Sequence, residues 1–360
     1  MLLIPRGRAV VESFWTTLFP PGSSGPSGNL CNLGVVDFTT RASALLVALV
    51  LILFVFVGCA APAAPRGASA DAADRPLVIA HRGASGYLPE HTLAAYALAF
   101  GMGADVIEPD LVMTKDGVLI CSHDLTAETT TDVASVFPDR ARADGKWYYA
   151  DLTLAEVRRL EKLGRAVRAR GHRVPTLEEM VELVQGLSAS TGRTVGIIPE
   201  PKNPAFHRRE GLAIEPALVQ ALRRHGYENK PVGRAIIQCF DLESLKIMRN
   251  ELACTLPMVF LVGDMPSDEL LREARSVADG LGPRRTLIER DDASPTGLHE
   301  RAQRLGFVLY PWTFANDRDA MRRFFASYGI AGLFTDYPDV GVEARHMTAQ
   351  HNAPDRHGGQ

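Results

Sequence analysis

The 360-residue sequence predicts an α/β fold, namely a single (β/α)8 TIM barrel with a small insertion over the barrel mouth. Short apolar runs alternate with helical patterns from Leu77 onward, and the alternation continues over roughly 270 residues, a usual length for one such barrel. No glycine-rich dinucleotide-binding fingerprint accompanies the alternation. A doubly wound parallel sheet is the main alternative, because it has the same alternation of strands and helices.

The predicted strands are short, mostly apolar runs bounded by polar or turn-forming residues. The turn Lys115-Asp116-Gly117 lies between two of these runs and predicts that they form a hairpin. In chain order, the predicted strands are residues 77–80, 106–111, 118–121, 195–198, 235–237, 255–261, 286–288, 307–310 and 332–334.

The predicted helices have apolar residues at helical spacing. Two of them open with a threonine, Thr153 and Thr176, and carry an acidic residue in the first turn, which is typical of an N-cap. In chain order, the predicted helices are residues 91–100, 153–163, 176–184, 215–225, 242–252, 268–278, 295–305 and 317–328.

The body of the protein is predicted at residues 77–345, with an insertion at about 129–172. That stretch is rich in Arg and Asp and is longer than a barrel connection normally is, so we expect it to cover the mouth. The tail, residues 346–360, holds three histidines among polar residues and is predicted to be disordered.

The N-terminal segment predicts export. Residues 42–58 form an uncharged apolar run of 17 residues that follows Arg41, and small residues come after it, as in a secretory signal. Val57-Gly58-Cys59 resembles a bacterial lipobox, which implies cleavage before Cys59 and lipidation of its sulfur. An uncleaved N-terminal anchor is the alternative.

The remaining boundaries follow from composition. Residues 1–40 have no periodic pattern and are taken as an over-long, unstructured start, residues 41–59 as the signal or anchor, and residues 60–76 as an Ala/Pro-rich tether. The protein is therefore expected outside the cytoplasm, in the periplasm or an equivalent compartment, attached to a membrane by the lipid or the anchor.

Charge and cysteine content exclude two classes of protein. The 39 basic and 42 acidic side chains give a net charge of -3, which argues against a nucleic-acid partner. Five cysteines are too few for a disulfide scaffold, and their spacing matches no zinc site. Neither property specifies the oligomeric state.

Polar residues interrupt strand after strand at the carboxyl end, where barrel enzymes carry their working residues. Glu108, Asp110 and Glu200 form a set of hard oxygen ligands suited to Ca²⁺ or Mg²⁺. Two histidines, His81 and His123, can divide the roles of general acid and general base. The cations Arg82 and Lys202 can neutralise phosphoryl oxygens. Each residue alone is more often structural, but together they indicate phosphoryl transfer.

The same residues lie in motifs that resemble those of the glycerophosphodiester phosphodiesterase family. The most specific match is residues 78–92, Val-Ile-Ala-His-Arg-Gly-Ala-Ser-Gly-Tyr-Leu-Pro-Glu-His-Thr. His91 and residues 137–140, Phe-Pro-Asp-Arg, resemble the periplasmic branch of the family. The further matches follow in the family's order: Glu108-x-Asp110-Leu111, Lys115-Asp116-Gly117, His123-Asp124, residues 175–179, Glu200-x-Lys202, Gln238-Cys239-Phe240 and residues 332–336 with Pro338.

The resemblance implies a TIM-barrel hydrolase that cleaves glycerophosphodiesters to sn-glycerol 3-phosphate and an alcohol, in the breakdown of phospholipid-derived diesters. It implies an ion held by the three carboxylates, Ca²⁺ in this branch, with Mg²⁺ as the alternative. It also implies an acid–base pair of His81 and His123, a phosphate-binding Arg82, and a cyclic phosphate intermediate formed by the neighbouring glycerol hydroxyl. Lys202, Gln238 and Trp312 would line the pocket.

The sequence departs from the family pattern at three places; the first two remove no functional side chain, and the third leaves the alcohol open. Pro201 lies between Glu200 and Lys202, Cys121-Ser122 replaces an aliphatic pair, and residues 262–278 are shorter than in other periplasmic members. Two alternatives remain at this stage. One is a lysophospholipase D-like or wall-polymer phosphodiesterase on the same fold, and the other is a non-catalytic diester-binding lipoprotein.

Overall fold

A computed structural model describes residues 75–164, 171–228 and 233–351 of the chain. The predicted start region, the export segment with Cys59 and nearly all of the predicted tether lie outside these ranges. Within them, no helix combines the length and the hydrophobicity needed to cross a membrane.

Eight parallel strands close into a ring within the described ranges, which confirms the predicted barrel. Eleven strands are described, and three of them, β3, β4 and β6, form a separate sheet beside the eight of the ring. In chain order the strands are β1 (Leu77–His81), β2 (Val106–Glu108), β3 (Asp110–Met113), β4 (Leu119–Cys121), β5 (Gly196–Ile197), β6 (Glu200–Pro201), β7 (Ile237–Cys239), β8 (Met258–Val262), β9 (Gly280–Pro283), β10 (Val308–Leu309) and β11 (Gly332–Thr335). One sheet has the order β11-β1-β2-β5 and another the order β10-β9-β8-β7. The single bridges Ile197–Ala235 and Phe314–Thr335 join these sheets at both edges.

Two barrel strands continue past a proline toward the mouth. Pro109 separates β2 from β3, and Pro199 separates β5 from β6, because proline has no N–H to donate to a ladder. The two proline carbonyls still accept hydrogen bonds. The Glu200 N–H donates to the Pro109 carbonyl at 2.9 Å, and the Gln238 N–H donates to the Pro199 carbonyl at 3.1 Å. The predicted strand 106–111 is therefore two strands, and β3 also pairs with antiparallel β4 to form the predicted hairpin.

Helices surround the ring. Thr176 and Glu179 form a reciprocal capping box at the start of the long helix that was predicted there, and Asp317 caps another predicted helix. The helices are, in chain order, α1 (Leu93–Gly101), α2 (Val133–Val136), α3 (Leu154–Val157), α4 (Leu177–Thr191), α5 (Pro204–Arg209), α6 (Ile214–Arg224), α7 (Leu242–Lys246, extended by a π-helical turn Ile247–Glu251), α8 (Asp268–Arg275), α9 (Leu298–Arg304), α10 (Arg318–Ser327) and α11 (Pro338–His351).

Three predictions about elements are wrong. The predicted helix 153–163 is helical only over α3, and near its predicted end Lys162 instead pairs in extended form with Thr131. The predicted strand 286–288 falls instead on a 3₁₀ turn, Arg285–Leu287, that follows β9. The predicted disordered tail begins inside α11, which continues to His351; residues 352–360 lie outside the described ranges.

The predicted insertion has a hydrophobic cluster of its own. Short helices and 3₁₀ turns occupy the described part of this stretch. Val133, Tyr149, Leu152, Val157 and Leu160 are buried there, packed on side chains from the β3–β4 hairpin. The insertion is thus anchored to the hairpin whose return strand leads into His123.

Candidate active site

The two-residue period of the strands determines the direction in which the predicted site residues point. Residues two apart on a strand point to the same face, and the barrel interior holds a separate apolar cluster. A polar or aromatic site residue follows a member of that cluster by two positions on several strands: His81 after Ile79, Glu108 after Val106, Glu200 after Ile198, Gln238 after Ile236 and Trp312 after Tyr310.

One pocket of about 170 Å³ collects all nine predicted catalytic, metal and substrate residues. The additional lining comes from Phe240, Leu261, Thr313 and Phe334. The nine residues are His81, Arg82, Glu108, Asp110, His123, Glu200, Lys202, Gln238 and Trp312.

Three carboxylates converge in this pocket. Glu108, Asp110 and Glu200 are buried and offer oxygens that all lie within 4.8 Å of one another. Burial and the charge of Asp110 raise the pKa of Glu108 well above its ordinary value. Burial also raises the pKa of Glu200 to about 8, against the opposing charge of Lys202. The repulsion among these acids is what a bound cation would relieve.

Two basic side chains partly compensate the acids. Lys202 Nζ lies 2.7 Å from Glu200 Oε1 and 3.7 Å from Asp110 Oδ1. Arg82 donates to both oxygens of Glu90 at 3.1 and 3.3 Å, and its Nε lies 3.2 Å from Asp110 Oδ2 without hydrogen-bond geometry. Although burial opposes ionisation of the Asp110 carboxyl, these neighbours hold its pKa well below the ordinary range.

The donor set fits a divalent ion. Carboxylate oxygens are the ligands that Ca²⁺ and Mg²⁺ prefer. Gln238 donates through Nε2 to Glu108 Oε1 at 3.2 Å, while its own Oε1 is buried without a partner. An acidic triad beside an orphaned amide oxygen is a site with spare acceptor capacity for a cation or its water.

Arg82 reaches the triad through an unusual backbone conformation. Its φ of 59° lies in the left-handed region, which a residue with a side chain adopts only when the surroundings impose it. In that conformation the Arg82 N–H donates to Glu108 Oε2 at 2.7 Å. The guanidinium and the main chain of Arg82 therefore both contact the acidic groups.

His81 is oriented by a carboxylate from the far end of the body. Its Nδ1 lies 2.6 Å from Asp336 Oδ1, and Ser85 Oγ donates to the same oxygen at 3.0 Å. Although burial opposes it, these hydrogen bonds hold the pKa of Asp336 below its ordinary value. Nδ1–H donation to Asp336 leaves Nε2 as the ring nitrogen available to substrate.

His123 has a similar arrangement on the other side of the pocket. Its Nδ1 lies 2.7 Å from Asp124 Oδ1, and Thr129 Oγ1 donates to Asp124 Oδ2 at 2.8 Å. The hydrogen bond from His123 lowers the pKa of Asp124. Thr129 is the first residue of the predicted insertion, so the insertion helps to fix this histidine.

Sequence reasoning missed the structural role of His91 beside the triad. His91 is wholly buried, with Nε2 at 3.0 Å from Asp110 Oδ2 and Nδ1 at 2.9 Å from the Tyr96 hydroxyl. Burial lowers the pKa of His91 to about 4, so the neutral ring donates to Asp110 and accepts from Tyr96. The family motifs include both residues, His91 as a feature of one branch and Asp336 as the polar residue that ends the 332–336 motif, but the sequence assigned neither of them a role in the site.

A second, larger cavity adjoins the pocket. It has a volume of about 980 Å³ and shares His123, Glu200, Lys202 and Phe240 with the pocket, whereas His81 lines only the smaller one. Phe240 packs edge-on against Trp312, with ring centroids 5.5 Å apart, where the two spaces meet. The pocket is therefore open toward the His123 side.

Comparison with known proteins identifies the family. The model of the Glycerophosphoryl diester phosphodiesterase family matches residues 81–340. The chain belongs to this family. The resemblance predicted from the motifs is confirmed, and with it the expectation of a phosphodiesterase enzyme rather than a binding protein.

Curated relatives support the assignment along most of their length. A glycerophosphodiester phosphodiesterase of Haemophilus influenzae is 35% identical over 326 residues, which cover 74% of this chain and 89% of the relative. One of Bacillus subtilis is 34% identical over 283 residues, covering 74% of this chain and 85% of the relative.

Solved structures share the fold. A putative family member from Silicibacter pomeroyi has a TM-score of 0.61 at 24% identity, covering 77% of this chain and 95% of its own. A phosphodiesterase of Oleispira antarctica, solved in complex with the product sn-glycerol-3-phosphate, has a TM-score of 0.59 at 23% identity, covering 76% and 98%. At these identities the similarity concerns the barrel fold.

Proposed function

We propose that the chain hydrolyses glycerophosphodiesters to sn-glycerol 3-phosphate and an alcohol in a metal-dependent reaction. The observation that carries the proposal is the meeting, in one pocket, of three buried carboxylates, two carboxylate-bound histidines and two cations. The named activity of the curated relatives, and the product bound in the Oleispira antarctica structure, support the same substrate class.

Glu108, Asp110 and Glu200 would hold the divalent ion, Ca²⁺ in our proposal, with Mg²⁺ as the alternative. The ion would neutralise charge on the phosphoryl oxygens and hold the diester in place. Arg82 and Lys202 are positioned to share that charge, because both lie against the triad in a buried pocket where electrostatic interactions are strong.

The two histidines take different roles in this proposal. His81 Nε2 accepts the proton of the glycerol hydroxyl next to the phosphate, and that hydroxyl oxygen attacks phosphorus. His123, protonated, donates to the oxygen of the alcohol as its bond to phosphorus breaks, leaving a cyclic phosphate. Water then attacks the cyclic phosphate and gives its proton to His123, while His81 returns its proton to the glycerol oxygen. This order follows from the larger cavity, which adjoins His123 and leaves room there for the alcohol.

The basic test uses the full-length chain purified in detergent. Glycerophosphocholine with Ca²⁺ should release glycerol 3-phosphate, a chelator should stop the reaction, and added Ca²⁺ should restore it. His81→Ala should reduce kcat by roughly 10²–10⁴-fold. An unchanged rate in His81→Ala would remove that residue from the mechanism.

The division of roles is tested with a substrate whose leaving group needs no proton. Replacing the alcohol by p-nitrophenol should restore most of the rate of the first step in His123→Ala, measured as p-nitrophenolate release in a single turnover, because p-nitrophenolate leaves without an acid. His81→Ala should stay inactive on the same substrate. Rescue of His81→Ala instead of His123→Ala would reverse the assignment.

Export and membrane attachment rest on the sequence alone. We propose that the enzyme acts outside the cytoplasm on phospholipid-derived diesters, attached through a lipid on Cys59 or through the apolar segment at residues 42–58. Mass spectrometry of the membrane-extracted protein decides between them, since an unmodified N-terminus upstream of Cys59 contradicts lipidation.

A further inference from the structure

The cavity of about 980 Å³ is lined by both charged and aromatic side chains. It is bounded on one side by the insertion, on another by α5 and the loop before it, and it opens from His123. If the proposed function holds, the smaller pocket receives the glycerol phosphate and this cavity receives the alcohol that leaves. The charged and aromatic groups of its wall then determine which alcohol is preferred.

The aromatic groups of the wall already hold a cation. Tyr148 of the insertion stacks on Phe206 of α5, with ring centroids 5.5 Å apart and planes 19° apart. The Arg142 guanidinium lies 4.2 Å from the Tyr148 centroid and 5.8 Å from that of Phe206, and it is fixed by Asp151 and Glu210. Phe240, the other aromatic residue of the wall, has Lys202 Nζ 5.5 Å from its ring centroid. A quaternary ammonium needs an aromatic face of its own, and a cation of the protein already lies against each of these aromatic groups.

The carboxylates that line the cavity outside the triad are engaged in contacts of their own. Asp241 also caps α7, and its pairing with a guanidinium neutralises its charge. The contacts are His123 and Thr129 with Asp124, Arg208 with Asp241, and Thr126 Oγ1 and the Trp147 N–H with Glu128.

Two cations of the wall have no such partner. Lys146, from the insertion, and Arg209, from α5, are exposed and line the cavity. Neither is within ion-pair distance of a carboxylate in the described part of the chain, although Asp144 and Glu210 lie near enough to feel their charge. Lys146 and Arg209 come from different walls, so they present positive charge to whatever occupies the space between.

We propose that this cavity binds an alcohol moiety that carries a negatively charged group, such as a further phosphate, with Lys146 and Arg209 as the residues that select it. The inference rests on the proposed function and specifies its substrate class. A cavity of this volume holds an alcohol much larger than choline, which fits a glycerol unit extended by a phosphate.

The test compares kcat/KM for glycerophosphoglycerol that bears a terminal phosphate monoester with kcat/KM for glycerophosphocholine. The variants are Lys146→Gln, Arg209→Gln and the double substitution in the full-length chain. Lys115→Gln is the matched control, because Lys115 is an exposed lysine that lines neither cavity.

We expect the wild-type chain to prefer the phosphate-bearing substrate, with a preference that weakens as salt is added. Each single substitution should lower the preference by about three- to fivefold and the double substitution by about tenfold or more. The control should leave the ratio unchanged.

An equal or greater kcat/KM for glycerophosphocholine overturns the inference and leaves the proposed function standing, because a diester is still cleaved. A preference that survives the double substitution also overturns it, since another group then selects the substrate. Failure to cleave any diester overturns the proposed function itself.

Discussion

At the scale of single residues, the histidines depend on carboxylates that fix the ring nitrogen facing the substrate. The clearest case is His81, whose Nδ1 lies 2.6 Å from Asp336. Asp336→Asn should lower kcat by roughly 10²–10⁴-fold with little change in KM, because an amide can hold the ring in the wrong tautomer while the binding groups are intact.

Ser85→Ala is the matched control for Asp336→Asn. The Ser85 hydroxyl donates to the same carboxylate oxygen at 3.0 Å and to the His81 carbonyl oxygen at 2.7 Å, and its described hydrogen bonds do not include the His81 ring. Its removal should cost less than about tenfold in kcat, because Asp336 keeps its direct hydrogen bond to His81. Steady-state kinetics on one diester separates these outcomes, and a loss seen mainly in KM would contradict an orienting role for Asp336.

His91 should matter for metal affinity rather than for proton transfer. It donates to Asp110 from a fully buried position, so His91→Ala leaves that ligand without one of its supports. We expect Ca²⁺ affinity to fall by roughly 10-fold to 100-fold, measured by calorimetry without substrate. His91→Asn can still donate and should lie closer to wild type; equal losses in both variants would show that ring packing, not the hydrogen bond, is what Asp110 needs.

Lys162 gives the molecule a pH-dependent stability. It is buried, its described hydrogen bond to Thr130 is a long 3.5 Å, and burial lowers its pKa from 10.5 to about 8. The pKa of Lys162 is lower in the folded chain than in the unfolded chain, so a charged Lys162 lowers the free energy of unfolding. This destabilisation is complete below about pH 8 and disappears as the pH approaches 10.5, where the ammonium loses its proton even in the unfolded chain.

Lys162→Met should therefore raise the free energy of unfolding at pH 7 by about 1–3 kcal/mol. The gain should shrink at pH 10, and denaturant titrations at both pH values measure it. Lys115→Met, at an exposed turn, should change stability little at either pH. A gain independent of pH would mean that packing, not charge, is responsible.

At this scale the sequence predicted the members of the site but not their partners. Strand ends and the two-residue spacing were enough to place Glu108 and Asp110 together. The Asp336 hydrogen bond joins residues 255 positions apart, and the His91 contact depends on a left-handed backbone. Neither contact can be read from a local sequence pattern. The first depends on closure of the ring, and the second on a turn whose conformation is imposed by packing.

At the scale of elements, the sequence predicted those barrel strands that contain a run of apolar side chains and missed the one that does not. β9 reads Gly-Leu-Gly-Pro and was missed. A Cβ on Gly282 would lie 2.5 Å from the Leu261 side chain, and one on Gly280 would lie 3.2 Å from the Tyr310 ring. Side chains of the neighbouring strands fill the space beside the two glycines of β9. The apolar residues that pack there therefore lie on those strands, and β9 itself has no apolar run that would predict it.

The seam between β5 and β7 gives an element-scale prediction. It is held by the single bridge Ile197–Ala235, and a Cβ on Gly196 would lie 2.7 Å from the Arg234 carbonyl oxygen. Gly196→Ala should lower the free energy of unfolding by about 1–3 kcal/mol. Gly186→Ala, inside α4 with open space around it, should raise it by about 0.5–1 kcal/mol.

Thermal or denaturant unfolding of both glycine variants measures the contrast. A neutral Gly196→Ala would mean that the seam can widen without loss of stability. In that case the barrel is looser between β5 and β7 than its hydrogen bonds indicate.

At the scale of the whole molecule, metal binding at the triad would stabilise the folded chain. An ion that binds only the folded chain stabilises it, by about 2.7 kcal/mol at one hundred times its Kd. Ca²⁺ should therefore raise the Tm of the full-length chain, and Glu108→Gln should reduce that rise because it removes one ligand charge. Scanning calorimetry tests this without any substrate, and a Tm that does not respond to Ca²⁺ or Mg²⁺ would argue against a metal at the triad.

The barrel as a whole was predictable because the same sequence pattern, a strand followed by a helix, is repeated many times. Strand–helix alternation recurs along the body, so the errors at 153–163 and 286–288 did not change the fold. The internal order of the insertion was not predictable, since its helices are too short to show a period and its apolar residues pack on the β3–β4 hairpin.

The pairing of β1 with β11 means that the ring can close only at the end of chain synthesis. Synthesis delivers His81 first, but the strand that completes the ring around β1, and Asp336 just beyond it, come last. A nascent chain that stops before β11 has ten of the eleven described helices and all nine site residues, yet no carboxylate on His81. Assembly of the proton-transfer group is thus postponed until almost the whole body has emerged, and incomplete chains are left without it.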